Sequence, residues 1–169
     1  MNTGQSLITI AAMMLLSITV LRVNNNLLST NSTLMDTKFG VLGVSLGTSL
    51  IEEASKKAFD LAGSDDAISD INLLTAPGSL GPASGEMYPN FNDFDDYNGF
   101  LDTIDTMPSA KFVLKCEVCY IDPANPDIKV NYRTWHKKMT VQITSPSMGN
   151  DEKRDTVKLS SVFSYWYFR

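Results

Sequence analysis

GQSLITIAAMMLLSITVLRV, residues 4–23, decides how the rest of the chain is read. No charged side chain precedes Arg22, and between residues 7 and 21 only Thr9, Ser17 and Thr19 interrupt a run of apolar side chains. Hydroxyls of this kind bond back to helix carbonyls, so they do not bar a helix from lipid. At about 1.5 Å per residue, residues 7–21 reach about 22 Å as a helix and residues 4–23 about 30 Å, the thickness of a bilayer's hydrocarbon core. A secretory signal peptide is the competing reading. It calls for Lys or Arg before the apolar run and a small-x-small cleavage site after it. Here the leading residues are uncharged and the run ends in Arg22, Val23 and the asparagines of residues 24–26. A retained helix is therefore expected, and the missing N-terminal charge leaves its orientation undetermined by the positive-inside rule.

Residues 24–26 and 29–33 form a polar, weakly helical interval, either a loop or a loosened section of one long helix. After it, Met35, Phe39, Leu42, Leu46, Leu50, Ala54 and Ala58 recur at steps of three or four, which predicts an amphipathic helix over residues 34–59. Gly40, Gly43, Ser45, Gly47 and Ser49 place small residues among them, lowering helix propensity but letting a neighbour approach closely. One face should pack on the protein's own sheet, and the other differs from it in composition.

The 169-residue chain, 43% apolar and 20% charged, fits one ordinary domain or a smaller head on a long element, and excludes two large catalytic domains. With 14 basic and 19 acidic side chains its net charge is −5, which argues against a general nucleic-acid binder, since such proteins neutralise phosphate with excess Lys and Arg. The charges are segregated: residues 61–110 hold nine acidic and no basic side chains, while residues 111–169 hold ten basic and six acidic. Residues 62–110, rich in Gly, Pro and acids, read as a long acidic connection. Within it, NFNDFDDYNG (residues 90–99) lacks the glycine and glutamate spacing of an EF-hand loop and reads as a turn-rich acidic surface loop.

Period-two stretches in residues 111–121, 134–144 and 156–168 predict strands, separated by turn signals at Asp122, Pro123, Asn125 and Pro126, and then at Ser145, Pro146, Gly149, Asn150 and Asp151. Residues 128–132 could add a fourth strand. The expected fold class is α+β: a long N-terminal helix, apolar in its first half and amphipathic in its second, packed on a C-terminal antiparallel sheet of three to four strands. Residues 1–61 form the leader and helix. Residues 62–169 form the head, divided into the acidic connection, 62–110, and the sheet, 111–169. Alternation along the last strand sets Phe163, Tyr165 and Tyr167 on one face and Trp166 and Phe168 on the other.

Catalytic chemistry finds no support. Cys116 and Cys119 form a CxxC, but there is no second cysteine pair, and His136 is the only histidine. Strand positions three apart point to opposite faces, so two unpaired thiols are expected there. No Ser-His-Asp order, P-loop or dinucleotide turn occurs. Neither a metal nor a cofactor is expected.

Gly4 followed by a polar residue, an uncharged apolar helix running into an amphipathic one, a variable loop and an antiparallel sheet together resemble a type IV pilin or pseudopilin. The resemblance implies that a prepilin peptidase cuts after Gly4, leaving Gln5 as the N-methylated first residue. It also implies that Leu7, Ile8, Ile10, Met13, Met14, Leu16, Ile18, Val20 and Leu21 pack against their copies in a filament core. In such helices a polar break like that of residues 24–33 often unwinds locally on assembly, and residues 62–110 correspond to the αβ-loop. Two positions depart from the family's pattern: the fifth mature residue, usually glutamate, is Thr9, and the leader MNTG carries no Lys or Arg. The implied life history is a membrane-anchored precursor that becomes an extracellular filament. Its partners are further copies of itself, the peptidase and assembly machinery, and the inner membrane. The alternative is a membrane-anchored minor pilin, pseudopilin or binding module that does not polymerise alone.

Overall fold

The computed structural model describes residues 3–63, 67–150 and 153–165. The chain divides into two compact units at Lys38/Phe39. In the first unit the described residues belong to α1 (Thr3–Ser55), and the polar interval of residues 24–33 is helical rather than a loop. Asn, Ser and Thr each cost only about half a kcal/mol of helix propensity, and helix on both sides outweighs that. Thr33 and Thr37 spend their hydroxyls on the carbonyls of Ser29 (3.0 Å) and Thr33 (2.8 Å).

In the second unit, residues 39–55 of α1 pack on a five-stranded antiparallel sheet. The strands are β1 (Leu101–Ile104), β2 (Phe112–Asp122), β3 (Asn125–Lys129), β4 (His136–Asn150) and β5 (Lys153–Ser164). Their order is β1-β2-β4-β5, with β3 pairing onto the end of β2. The expected α+β arrangement is present. β1 adds a strand inside what reads as connection, pairing Leu101 with Lys115 and Ile104 with Phe112. The possible fourth strand is β3, which begins at Asn125 rather than Ile128. β4 runs on through the turn signals at Ser145, Pro146 and Gly149 by a register irregularity between Thr144 and Gly149. Asp151, Trp166, Tyr167 and Phe168 lie outside the described residues.

The helix-period reading is realised by Phe39, Leu50 and Ala54, which are buried, and by Leu42 and Leu46 packed beside them, whereas Met35 is exposed. Gly43 and Gly47 lie in the same stripe. A Cβ on Gly47 would stand 2.7 Å from Leu159 Cδ1 and 2.8 Å from Ile143 Cδ1, so the helix reaches the sheet there only because a side chain is missing. Opposite them the inner face of the sheet supplies Phe112, Leu114, Cys116 and Val118 from β2 and Met139, Val141 and Ile143 from β4. α1 ends at Ser55 rather than near Phe59. The Ala58 backbone instead bridges to Asp93 in parallel, with Ala58 N–H donating to Asn92 O at 3.3 Å and Phe94 N–H to Ala58 O at 2.8 Å.

Residues 91–97 are not the acidic surface loop that their composition predicts. Phe91, Phe94 and Tyr97 are core residues, and Asp93, Asp95 and Asp96 are buried with them. The aromatics carry the segment into the core, and its carboxylates find donors there. Asp93 Oδ1 accepts from the Asp95 and Asp96 amides (2.8 and 3.2 Å), and Asp96 Oδ2 from the Asn92 and Asp93 amides (2.9 and 3.1 Å). Tyr97 Oη donates to Glu53 Oε1 on α1 at 2.8 Å, and burial with that carboxylate pushes the Tyr97 hydroxyl's pKa well up.

Candidate functional site

In the first unit, the candidate surface is made by α1 itself. Leu7, Ile8, Ile10, Met13, Met14, Leu16, Ile18, Val20 and Leu21 are all exposed, from 49% for Ile18 to 71% for Ile8. At about 100° per residue these positions encircle the helix instead of forming one stripe, the pattern of a helix meant to be surrounded by apolar matter. Gly4 and Gln5 are exposed in the first turns of the same helix. The polar interruptions are satisfied internally: Thr9 Oγ1 donates to Ser6 O (2.9 Å), Ser17 Oγ to Met13 O (2.9 Å) and Thr19 Oγ1 to Leu15 O (2.8 Å). An 18-residue window of α1 reaches a mean hydropathy of 2.1, so this helix is long and apolar enough to cross a membrane near the N-terminus. Each large side chain moved from water into lipid or a helical bundle is worth about 1.5–3 kcal/mol, so burying the whole surface outweighs the ordering costs of association.

The surface can bind apolar matter and has no catalytic groups. The CxxC cysteines are free and lie on opposite faces of β2, Cys116 in the core against the helix and Cys119 beside Lys129 and Lys138. Burial pushes the Cys116 thiol up to about 12 and raises Cys119 as well, which keeps both protonated at neutral pH. His136 Nδ1 sits 2.8 Å from Ser164 Oγ. Among the described residues no group of three or more His, Cys, Asp or Glu side chains is placed to hold a metal ion.

The feature that the sequence reading misses lies in the head. Lys137 is fully buried, and its Nζ donates to Phe59 O (2.8 Å), to Asp60 Oδ2 (2.8 Å) and to Asp95 Oδ1. The ammonium lies 4.6 Å from the centre of the Phe59 ring and 5.5 Å from that of Tyr120. Asp60 also accepts from Thr75 N–H (2.9 Å), Thr75 Oγ1 (3.1 Å) and Ala62 N–H (3.3 Å), tying the 70–80 segment to the same point. Burial raises the pKa of Asp95 despite the opposing Lys137 charge. Asp93, buried next to Asp95 and Asp96, is raised to about 8. The signal was available in the strand alternation, which puts Lys137 in register with Met139, Val141 and Ile143 on the inner face.

The chain matches no known family, no curated protein and no solved structure.

Proposed function

We propose that this chain is a structural subunit of a type IV pilus-like extracellular filament. Its apolar helix anchors it in the inner membrane before assembly and packs against its copies afterwards. The observation that carries this reading is the charge-free helical surface of residues 7–21, exposed around its whole circumference, in a chain that also builds an α+β head with a sealed core of its own. The head needs none of these side chains for its own packing, so the helix is available for lipid and then for other subunits. In both settings its hydroxyls stay bonded to their own backbone and its apolar side chains stay dry. The head would form the filament surface and any adhesive face.

Processing after Gly4 would expose Gln5 as the new N-terminus. Mass spectrometry of the assembled protein should find an N-terminal peptide beginning with methylated Gln5. An intact Met1 on assembled protein would count against prepilin-peptidase processing.

One observation favours a second reading, a minor pilin or membrane-anchored binding module. Thr9 stands where the resemblance places a glutamate, and its hydroxyl is already committed to Ser6 O at 2.9 Å. It supplies no charge to pair with a neighbour's terminal amine. Purified protein that stays as short oligomers under negative stain while its membrane anchoring persists would favour this second reading.

A further inference from the structure

The buried contact between Lys137 and Asp95 brings together, in a site that excludes water, the amine and the carboxyl group that an amide bond would join. Both side chains are at most 2% exposed, and Asp60, the third member, is 1% exposed. The Phe59 and Tyr120 rings cover Nζ, and Phe94 and Tyr97, each fully buried, flank Asp95 in sequence. The reactants are fixed by backbone. The bridge between Ala58 and Asp93 sets residues 58–60 beside residues 92–95, and β4 delivers Lys137 to both. We propose that Lys137 Nζ and Asp95 Cγ become joined by an intramolecular amide bond when the head folds, with Asp60 as the proton-carrying carboxylate.

The step balances without an external reagent. In the first step one proton passes from the Lys137 ammonium to the Asp95 carboxylate, whose pKa burial raises, giving the amine nucleophile and the acid that it attacks. The Nζ lone pair attacks Asp95 Cγ and the Nζ–Cγ bond forms. Asp60 Oδ2, 2.8 Å from Nζ, takes a proton from the attacking nitrogen and returns it to the departing hydroxyl. The Cγ–O bond breaks, one water leaves, and no oxidation state changes. Asp93 stands beside the pair: its Oδ1 accepts the Asp95 and Asp96 amides, and burial next to those two carboxyl groups raises its own to about 8. Asp60 is the poorer electrophile because its two oxygens already receive Thr75 N–H, Thr75 Oγ1 and Ala62 N–H besides Lys137. Holding the groups in contact supplies the high effective concentration that two such groups lack in water, and the closed site excludes water for the reverse reaction. The bond would fasten the buried 91–97 segment covalently to the middle of the sheet. It does not depend on the filament reading.

The test uses the full-length protein, denatured and digested with trypsin. Acylated Lys137 is no longer a cleavage site, so the expected product joins residues 58–111 to residues 134–138, with the summed mass less one water. Fragment ions should place the link at Asp95. Lys137→Arg should release the two peptides separately. Asp95→Asn should give a product identical in mass to the wild-type one, because the same amide forms with loss of ammonia. Asp60→Asn should slow the linkage in a head that still shows native near-ultraviolet dichroism. Wild-type peptides recovered fully unlinked would overturn the proposal, a link at Asp60 would overturn its assignment, and undiminished linkage in the Asp60 variant would overturn that residue's role.

Discussion

α1 contains two stretches rich in apolar residues, 12 of 15 in residues 7–21 and 8 of 16 in residues 39–54, with opposite fates. In residues 7–21 the Leu, Ile and Met side chains point in every direction and none is buried. In residues 39–54 apolar and small residues make one stripe, with Phe39, Gly43, Gly47, Leu50 and Ala54 buried under the sheet. The difference lies in the distribution around the axis. A stripe can be covered by one sheet, but a full apolar circumference can be covered only by lipid or by several other helices. The first stretch should therefore govern where the protein goes and what it assembles with, and the second should govern whether the head folds.

The largest effect on location and assembly should come from placing a charge in the first stretch. Met14→Asp, at its midpoint, costs about 2.5–3.5 kcal/mol of membrane insertion and should abolish membrane retention and assembly while leaving the head's thermal midpoint unchanged. A lowered midpoint, seen by calorimetry, would break the division of labour between the two stretches.

The largest effect on the head's stability should come from the buried lysine. Lys137→Met removes the buried nitrogen that Asp60, Asp95 and the Phe59 carbonyl share and should destabilise the head by at least about 3–5 kcal/mol, measured by urea unfolding. Lys138, its neighbour on the outer face, pairs with Asp127, which is 95% exposed, so Lys138→Met should change little. Equal effects at the two positions would contradict the inner-face assignment.

Smaller changes separate the glycines within the second stretch. Gly47→Val forces a branched side chain against Leu159 and Ile143 and should cost about 1–3 kcal/mol. At Gly40 an added Cβ meets nothing within 4 Å, so Gly40→Ala should stabilise by about 0.5–1 kcal/mol through helix propensity.

The last effect depends on pH. The Asp93 carboxyl keeps its proton up to about pH 8 in the folded head, against an ordinary value of 3.8. Between those limits the folded state binds the extra proton, so the stability tied to this group is complete below about pH 4. It declines as pH rises and is lost once pH passes about 8. Asp93→Asn keeps an oxygen for the Asp95 and Asp96 amides and should flatten that decline, gaining on the order of 1 kcal/mol at pH 8. A decline in denaturant stability that is just as steep in the variant would show that another group sets it.

Much of this architecture is legible because it rests on local periodicity. Residues 7–21 declare themselves by the absence of charge, Phe39 to Ala54 by their steps of three and four, and Phe112 to Tyr120 by alternation. The buried aspartates were not legible because a run such as NDFDD reads locally as solvated. Its burial is made tolerable by Lys137, 42 residues from Asp95, and by the segment's own amides, which bond Asp93 and Asp96. Two clues were present nonetheless: the core register of Lys137 on β4, and the aromatics Phe91, Phe94 and Tyr97 interleaved with the acids. β1 escaped notice for a different reason. It is a four-residue edge strand, exposed and half-buried in alternation, with too few side chains to establish a period. For the apolar helix, sequence and structure agree: residues 7–21 are uncharged and their large side chains are exposed.

The central claim is that residues 7–21 of many copies build a filament core. Its most direct test is electron microscopy of surface-sheared material from producing cells, with gold directed at the head. The account predicts uniform fibres labelled along their length, and their loss in Met14→Asp. Label confined to membrane vesicles or soluble protein, with no labelled fibre in the wild type, would contradict it.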